Sequence, residues 1–172
     1  FGQLNSIKYL NMKNLDAPSL TMIHKILPCG SCSSDNVPEL VDLSGLNAPN
    51  LTTLDGAFKT TNVKNVNLSN IKSDNLNNLS ELFKETSYLE NVNLEGTDTS
   101  KVTNISYMFS NSGITSFDFS QLDTSSVTNI IQFLFGTTRL TSVDLSSLDL
   151  SQATNGSYVF TNSSIENLDM HG

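Results

Sequence analysis

The residues of this chain that could do chemistry are few, and their spacing limits what they can do. His24, Cys29 and Cys32 form a His-x4-Cys-x2-Cys cluster with no fourth ligand nearby, so a tetrahedral zinc site would be incomplete. The Cys29/Cys32 pair is a disulfide candidate; two inert thiols, or pairing with something beyond this chain, also fit it. A thioredoxin-like redox centre would need the motif at a helix start within a βαβ pattern, which the sequence lacks. The two histidines, His24 and His171, stand at opposite ends, so neither can act as base for a central serine. Carboxylates recur as repeating series, with no asymmetric pair whose pKa values could be pushed apart. We therefore assign no catalytic residue and expect a non-enzymatic role.

One carboxylate series deserves a metal test. Asp98-Thr-Ser100, Asp123-Thr-Ser125 and Asp149-Leu-Ser151 share a register that reads Asp16, Asn47 and Lys72 earlier in the chain. Stacked carboxylates suit Ca²⁺, whereas Asp two residues before Ser also suits an Asx-turn. A lysine in the same register counts against the metal, and no metal or cofactor is assigned. Asn78, Asn104, Asn129 and Asn155 form a second series, expected to hydrogen-bond turn backbone.

Composition narrows the partners. Ser, Thr and Asn supply 63 of 172 residues, while nine Lys+Arg against 17 Asp+Glu leave a net charge of −8. Nine scattered cations exclude a basic nucleic-acid surface. A hydrophobic content of 37% suffices for an organised core. No apolar run is long enough to span a membrane, and no leader-type segment is present. A start at Phe1 leads us to expect a fragment of a longer chain, with leader and anchor outside it.

The elements that must position these residues come from a repeat. Apolar-Asx-apolar tripeptides occur at Leu10–Met12, Val41–Leu43, Val66–Leu68, Val92–Leu94, Phe117–Phe119, Val143–Leu145 and Leu168–Met170, in steps of 31, 25, 26, 25, 26 and 25 residues. Their period-2 alternation predicts short strands. The second half of each unit changes to a 3/3/1 spacing, as in Val102/Ile105/Met108/Phe109 and Leu76/Leu79/Leu82/Phe83. That spacing predicts a short α- or 3₁₀-helical turn, with room for a convex strand at its start. A lone unit cannot bury both stripes, but stacked units can.

The expected fold is a leucine-rich-repeat-like solenoid, each unit a strand plus a short helical or 3₁₀ turn, with a parallel β-sheet on one face. It is a single repeat domain over residues 1–172, of about seven units, with a loop insertion near 28–37. Seven strands about 4.8 Å apart would span on the order of 30 Å.

The segments Asp98-Thr-Ser-Lys-Val-Thr-Asn-Ile-Ser-Tyr-Met-Phe109, Leu122-Asp-Thr-Ser-Ser-Val-Thr-Asn-Ile130 and Leu140-Thr-Ser-Val-Asp-Leu-Ser-Ser-Leu148 resemble the BspA-type leucine-rich repeat of bacterial surface proteins, whose units read roughly "LTSLDLSNFDTSKVTNMSYMF". The resemblance covers nearly the whole chain and is closest in units four to six. It implies a secreted solenoid displayed at the cell surface or cell wall, commonly assigned to adhesion. Leu46, Ile71, Leu122 and Leu148 stand where the better-known leucine-rich repeat has a buried Asn, so the backbone groups it would satisfy need other partners.

Solenoids bind ligands on their sheet surface. Alternation turns three columns outward. The middle one contains Asn67, Asn93, Asp118, Asp144 and Asp169; Asn91 and Glu95 flank it in the neighbouring columns. These seven are the candidate ligand-binding residues. Their charge favours a basic or polar surface on a host or cell-surface protein. A solvated face that merely discourages lateral strand pairing is the plainer reading. Two other roles stay open, a spacer displaying another domain and a glycan-binding module, the latter disfavoured because Trp is absent. The chain is expected to be monomeric, without nucleic-acid binding or membrane insertion.

Overall fold

A computed structural model describes residues 7–27 and 37–171. Cys29, Cys32 and the expected loop insertion lie outside the described residues, apart from the insertion's last residue, Val37. The tripeptides form strands at β1 (Tyr9–Asn11), β2 (Leu40–Asp42), β3 (Asn65–Asn67), β4 (Asn91–Asn93), β5 (Ser142–Asp144) and β6 (Asn167–Asp169). All pairs are parallel, ordered β1-β2-β3-β4 and β5-β6. Register puts Val41 beside Val66, Val66 beside Val92, and Val143 beside Leu168. The expected stacked-strand solenoid is what forms, a parallel β-solenoid.

The second half-units differ from the helical turn expected of them. They begin with a ladder of single bridges joining Met22, Thr53, Asn78, Asn104, Asn129 and Asn155 in succession. Consecutive tight turns follow: the Met108 N–H donates to the Ile105 carbonyl at 3.2 Å, Ser110 to Tyr107 at 3.0 Å, and Ser112 to Phe109 at 3.0 Å. The intervening donors leave the unit, Tyr107 reaching the Ile131 carbonyl at 2.8 Å, Phe109 that of Phe133 at 3.0 Å, and Asn111 that of Phe135 at 2.7 Å. Tyr107 and Asn111 sit at φ of 58° and 54°, a left-handed conformation that no right-handed helix can pass through. Helix would spend every N–H within the unit. Alternate turns spend half of them on the next rung, and this stitches the stack together.

The core is a column per register. Phe58, Phe83 and Phe109 are fully buried and stack with centroids 5.5 Å apart at each step. Hydroxyls take the place of the missing buried Asn: Thr97 Oγ1 accepts the Ile71 N–H at 3.0 Å and donates to the Leu68 carbonyl at 2.6 Å. Likewise Thr99 Oγ1 accepts the Asp123 N–H at 2.8 Å.

The single seven-strand sheet does not form. Where four of the other units carry Val and Leu, and the first and last carry Leu and Met, the fifth carries Phe117 and Phe119, whose rings meet each other at 5.0 Å and meet Phe109 at 5.1 and 6.5 Å. Two aromatic rings need more room than Val and Leu, and the rung swings into a 3₁₀ turn over Phe119–Gln121. The sheet is thereby split between β4 and β5.

Candidate binding face

The strands place the predicted columns on one outer surface. Asp118, Asp144, Asp169, Asn91 and Glu95 are exposed, and Asn67 and Asn93 are half-buried. Asn67 and Asn93 are aligned across β3 and β4, as are Asp144 and Asp169 across β5 and β6. Asp118 belongs to the interrupted rung, so it caps the 3₁₀ turn.

Every member of the middle column serves its own backbone. Oδ1 accepts the N–H two residues on: Lys13 to Asn11 at 3.0 Å, Ser44 to Asp42 at 2.9 Å, Ser69 to Asn67 at 3.1 Å, and Glu95 to Asn93 at 2.9 Å. Ser120 donates to Asp118 at 3.0 Å, Ser146 to Asp144 at 2.9 Å, and His171 to Asp169 at 2.9 Å. These are Asx-turns, which bend the chain out of the strand. Asn91 takes part in a different link, its Nδ2 donating to Asn65 Oδ1 at 2.7 Å. The column is therefore structural in every rung, and Asp differs from Asn only in the charge it adds.

That charge is held firmly. Hydrogen bonds from the Ser120 and Ser146 hydroxyls, then from the same residues' N–H groups, hold Asp118 and Asp144 below the usual carboxylate range. Asp98 and Asp149 are lowered in the same way by Ser100 and Ser151.

The register tested for Ca²⁺ consists of Asx-turns, Asp98, Asp123 and Asp149 accepting the N–H of Ser100, Ser125 and Ser151 at 2.9, 3.0 and 2.9 Å. Among the described residues no group of three or more His, Cys, Asp and Glu is arranged to hold a metal ion. Asn78, Asn104 and Asn155 accept from Ser80, Ser106 and Ser157 at 2.9, 3.0 and 3.4 Å, and Asn129 accepts from Ile131 at 3.2 Å. The two histidines remain apart. His24 Nδ1 lies 2.7 Å from the Asp55 carbonyl, and His171 Nδ1 lies 2.8 Å from Asp169.

One polar cluster was not foreseen. Glu81 binds both Lys59 and Lys84, the latter at 2.9 Å, and Lys84 also lies 4.5 Å from the centroid of the Tyr107 ring. Partial burial opposes the Glu81 charge, but hydrogen bonds from the two ammonium groups outweigh it and lower the pKa. The four residues come from three successive units, so only an alignment of those units by their 25- and 26-residue steps could have brought them together.

No helix among the described residues is long and apolar enough to cross a membrane. No curated protein and no solved structure matches the chain. The family model described as "Mycoplasma protein of unknown function, DUF285" matches residues 52–171, which is most of the chain, and the chain belongs to that family.

Proposed function

We propose that this solenoid is a non-enzymatic recognition module of the BspA type, displayed outside the cell and binding a basic or polar protein surface through its sheet face. The observation that carries the reading is the interchange of Asn and Asp along one column, which reads Asn11, Asp42, Asn67, Asn93, Asp118, Asp144 and Asp169. Both residue types make the same turn. Architecture therefore does not require the carboxylates, and a charge-selective contact would use them. A carboxylate has about four lone-pair sites, so one used by the backbone leaves acceptors for Arg or Lys from a partner. The net charge of −8 would steer such a partner towards the face.

The Asx-turns also favour a second reading, a rigid spacer, because they account for the column without any ligand. Replacing Asp118 and Asp144 by Asn separates the two. Asp→Asn keeps the turn acceptor and removes the charge. Recognition predicts weaker attachment of the variant to host cells or to a basic protein surface, with thermal stability near that of the parent. Attachment equal to the parent's would sink the recognition reading and leave the spacer.

A further inference from the structure

At rung five the strand half and the turn half part company. Four strands precede this rung and two follow it, so it lies inside the stack. Elsewhere the strand halves are tied where they enter and where they leave. Glu39, Glu90 and Glu166 donate their N–H groups to the carbonyls of Lys8, Lys64 and Thr141 at 2.8–2.9 Å, and Met12, Leu43, Leu68 and Leu145 donate to those of Asp42, Asn67, Asn93 and Asp169 at 2.8 Å. The matching donors around rung five, Thr115, Phe119 and Thr141, make no such bond. Among the described residues, the bond from Leu94 to the Gln121 side chain is the one that ties residues 115–121 to another rung. The turn half of the same unit is stitched on both sides, Tyr107 and Phe109 donating to Ile131 and Phe133 at 2.8 and 3.0 Å, and Gln132 and Leu134 to Ser157 and Val159 at 2.9 and 3.1 Å.

The flanking strands are still shaped for a strand between them. In a parallel sheet alternate residues bond the two neighbours. Leu68 bonds the following rung, so Val92, in register with Val66, faces rung five; Leu145 also bonds the following rung, so Ser142 and Asp144 face back on it. None of these three N–H groups finds an acceptor there. The opening reaches the core: Val41, Val66 and Val143 are at most 3% exposed, whereas Val92 and Phe117 are half-buried. Yet the segment carries the strand pattern, with Ile114, Phe117 and Phe119 in the positions of Leu89, Val92 and Leu94. The volume of its two rings and the Gln121 tie are what hold it out.

We infer that residues 115–121 are a strap that exchanges between the swung-out turn and a strand in register between β4 and β5, hinged on the stitched turn half. In the strand state the Asp118 carbonyl takes the Leu94 N–H from Gln121, and Val92, Ser142 and Asp144 gain their missing partners. Asp118 then stands in line with Asn93 and Asp144, so the strap sets whether the Asx column is continuous. The exchange itself does not depend on what that column binds.

NMR on the intact chain tests this. Relaxation dispersion is expected at Val92, Leu94 and residues 115–121, on the microsecond-to-millisecond scale, with Tyr107, Phe109 and Gln132 silent. Phe117→Val together with Phe119→Leu gives rung five the residues of its neighbours and should fix the strand state. Hydrogen exchange at Val92, Ser142 and Asp144 should then slow by about tenfold or more, while that at Tyr107 stays unchanged. A variant that exchanges at those three amides as fast as the parent would overturn the proposal. So would a parent without dispersion in the strap, a result that holds whether or not the variant folds.

Discussion

The Gln121 side-chain carbonyl accepts the Leu94 backbone N–H at 2.8 Å, in the place where Leu43 and Leu68 donate to the strand carbonyls of Asn67 and Asn93. A single amide side chain thus closes the gap opened by Phe117 and Phe119. Gln121→Leu would leave the buried Leu94 donor without a partner, a loss of about 1–3 kcal/mol. Gln121→Glu keeps an acceptor and should lose less. Urea unfolding of the two variants checks the order, and equal midpoints would show that the bond does not matter.

A second relationship crosses the rungs at a corner. Gly96 has φ of 72°, and a Cβ there would lie 2.4 Å from Asn70 Oδ1. The same seating recurs with Asn14 over Gly45 and Asn111 over Gly136. Gly96→Ala is expected to destabilise by about 1–3 kcal/mol from backbone strain, with the clash in addition. Adding Asn70→Ala should recover the clash component. Strict additivity in the double-mutant cycle would contradict this account.

The aromatic column gives the largest expected loss. Phe83 is fully buried and stacked on both sides, 5.5 Å from Phe58 and from Phe109. Phe83→Ala should cost about 3–5 kcal/mol, and Phe83→Leu considerably less because it leaves a smaller cavity. Chemical denaturation measures both, and a Phe83→Ala loss below about 1 kcal/mol would be incompatible with the packed column.

Acid should loosen the corners. Asp98, Asp118, Asp144 and Asp149 all have lowered pKa values, first through serine hydroxyls and then through backbone N–H groups. A folded pKa below the unfolded one means the native state holds fewer protons, so stability rises with pH across that interval. The contribution is fully present above the unfolded value, about 3.9, and fades as pH falls through the lower folded values. Tm should therefore drop below about pH 4. The quadruple Asp→Asn variant keeps the turns and should show a flatter profile; an identical acid limb would place the titration elsewhere.

The sequence by itself determined the repeat. Apolar residues at fixed intervals must be buried, a lone unit cannot bury them, and stacking in register follows, as in Val41 on Val66 on Val92. The outward placement of Asn67, Asn93, Asp118, Asp144 and Asp169 was legible too, because strand alternation is strict. The 3/3/1 half-unit was misleading. Helix and a run of tight turns repeat apolar residues at similar intervals, and only the left-handed φ at Tyr107 and Asn111, imposed by bonding to the next rung, decides between them. Nor could a list of residues show the Asx Oδ1 atoms turned onto their own backbone or the sheet broken at Phe117. These depend on how much room a rung has and on which neighbour lies above it, so they exist only once the units are stacked.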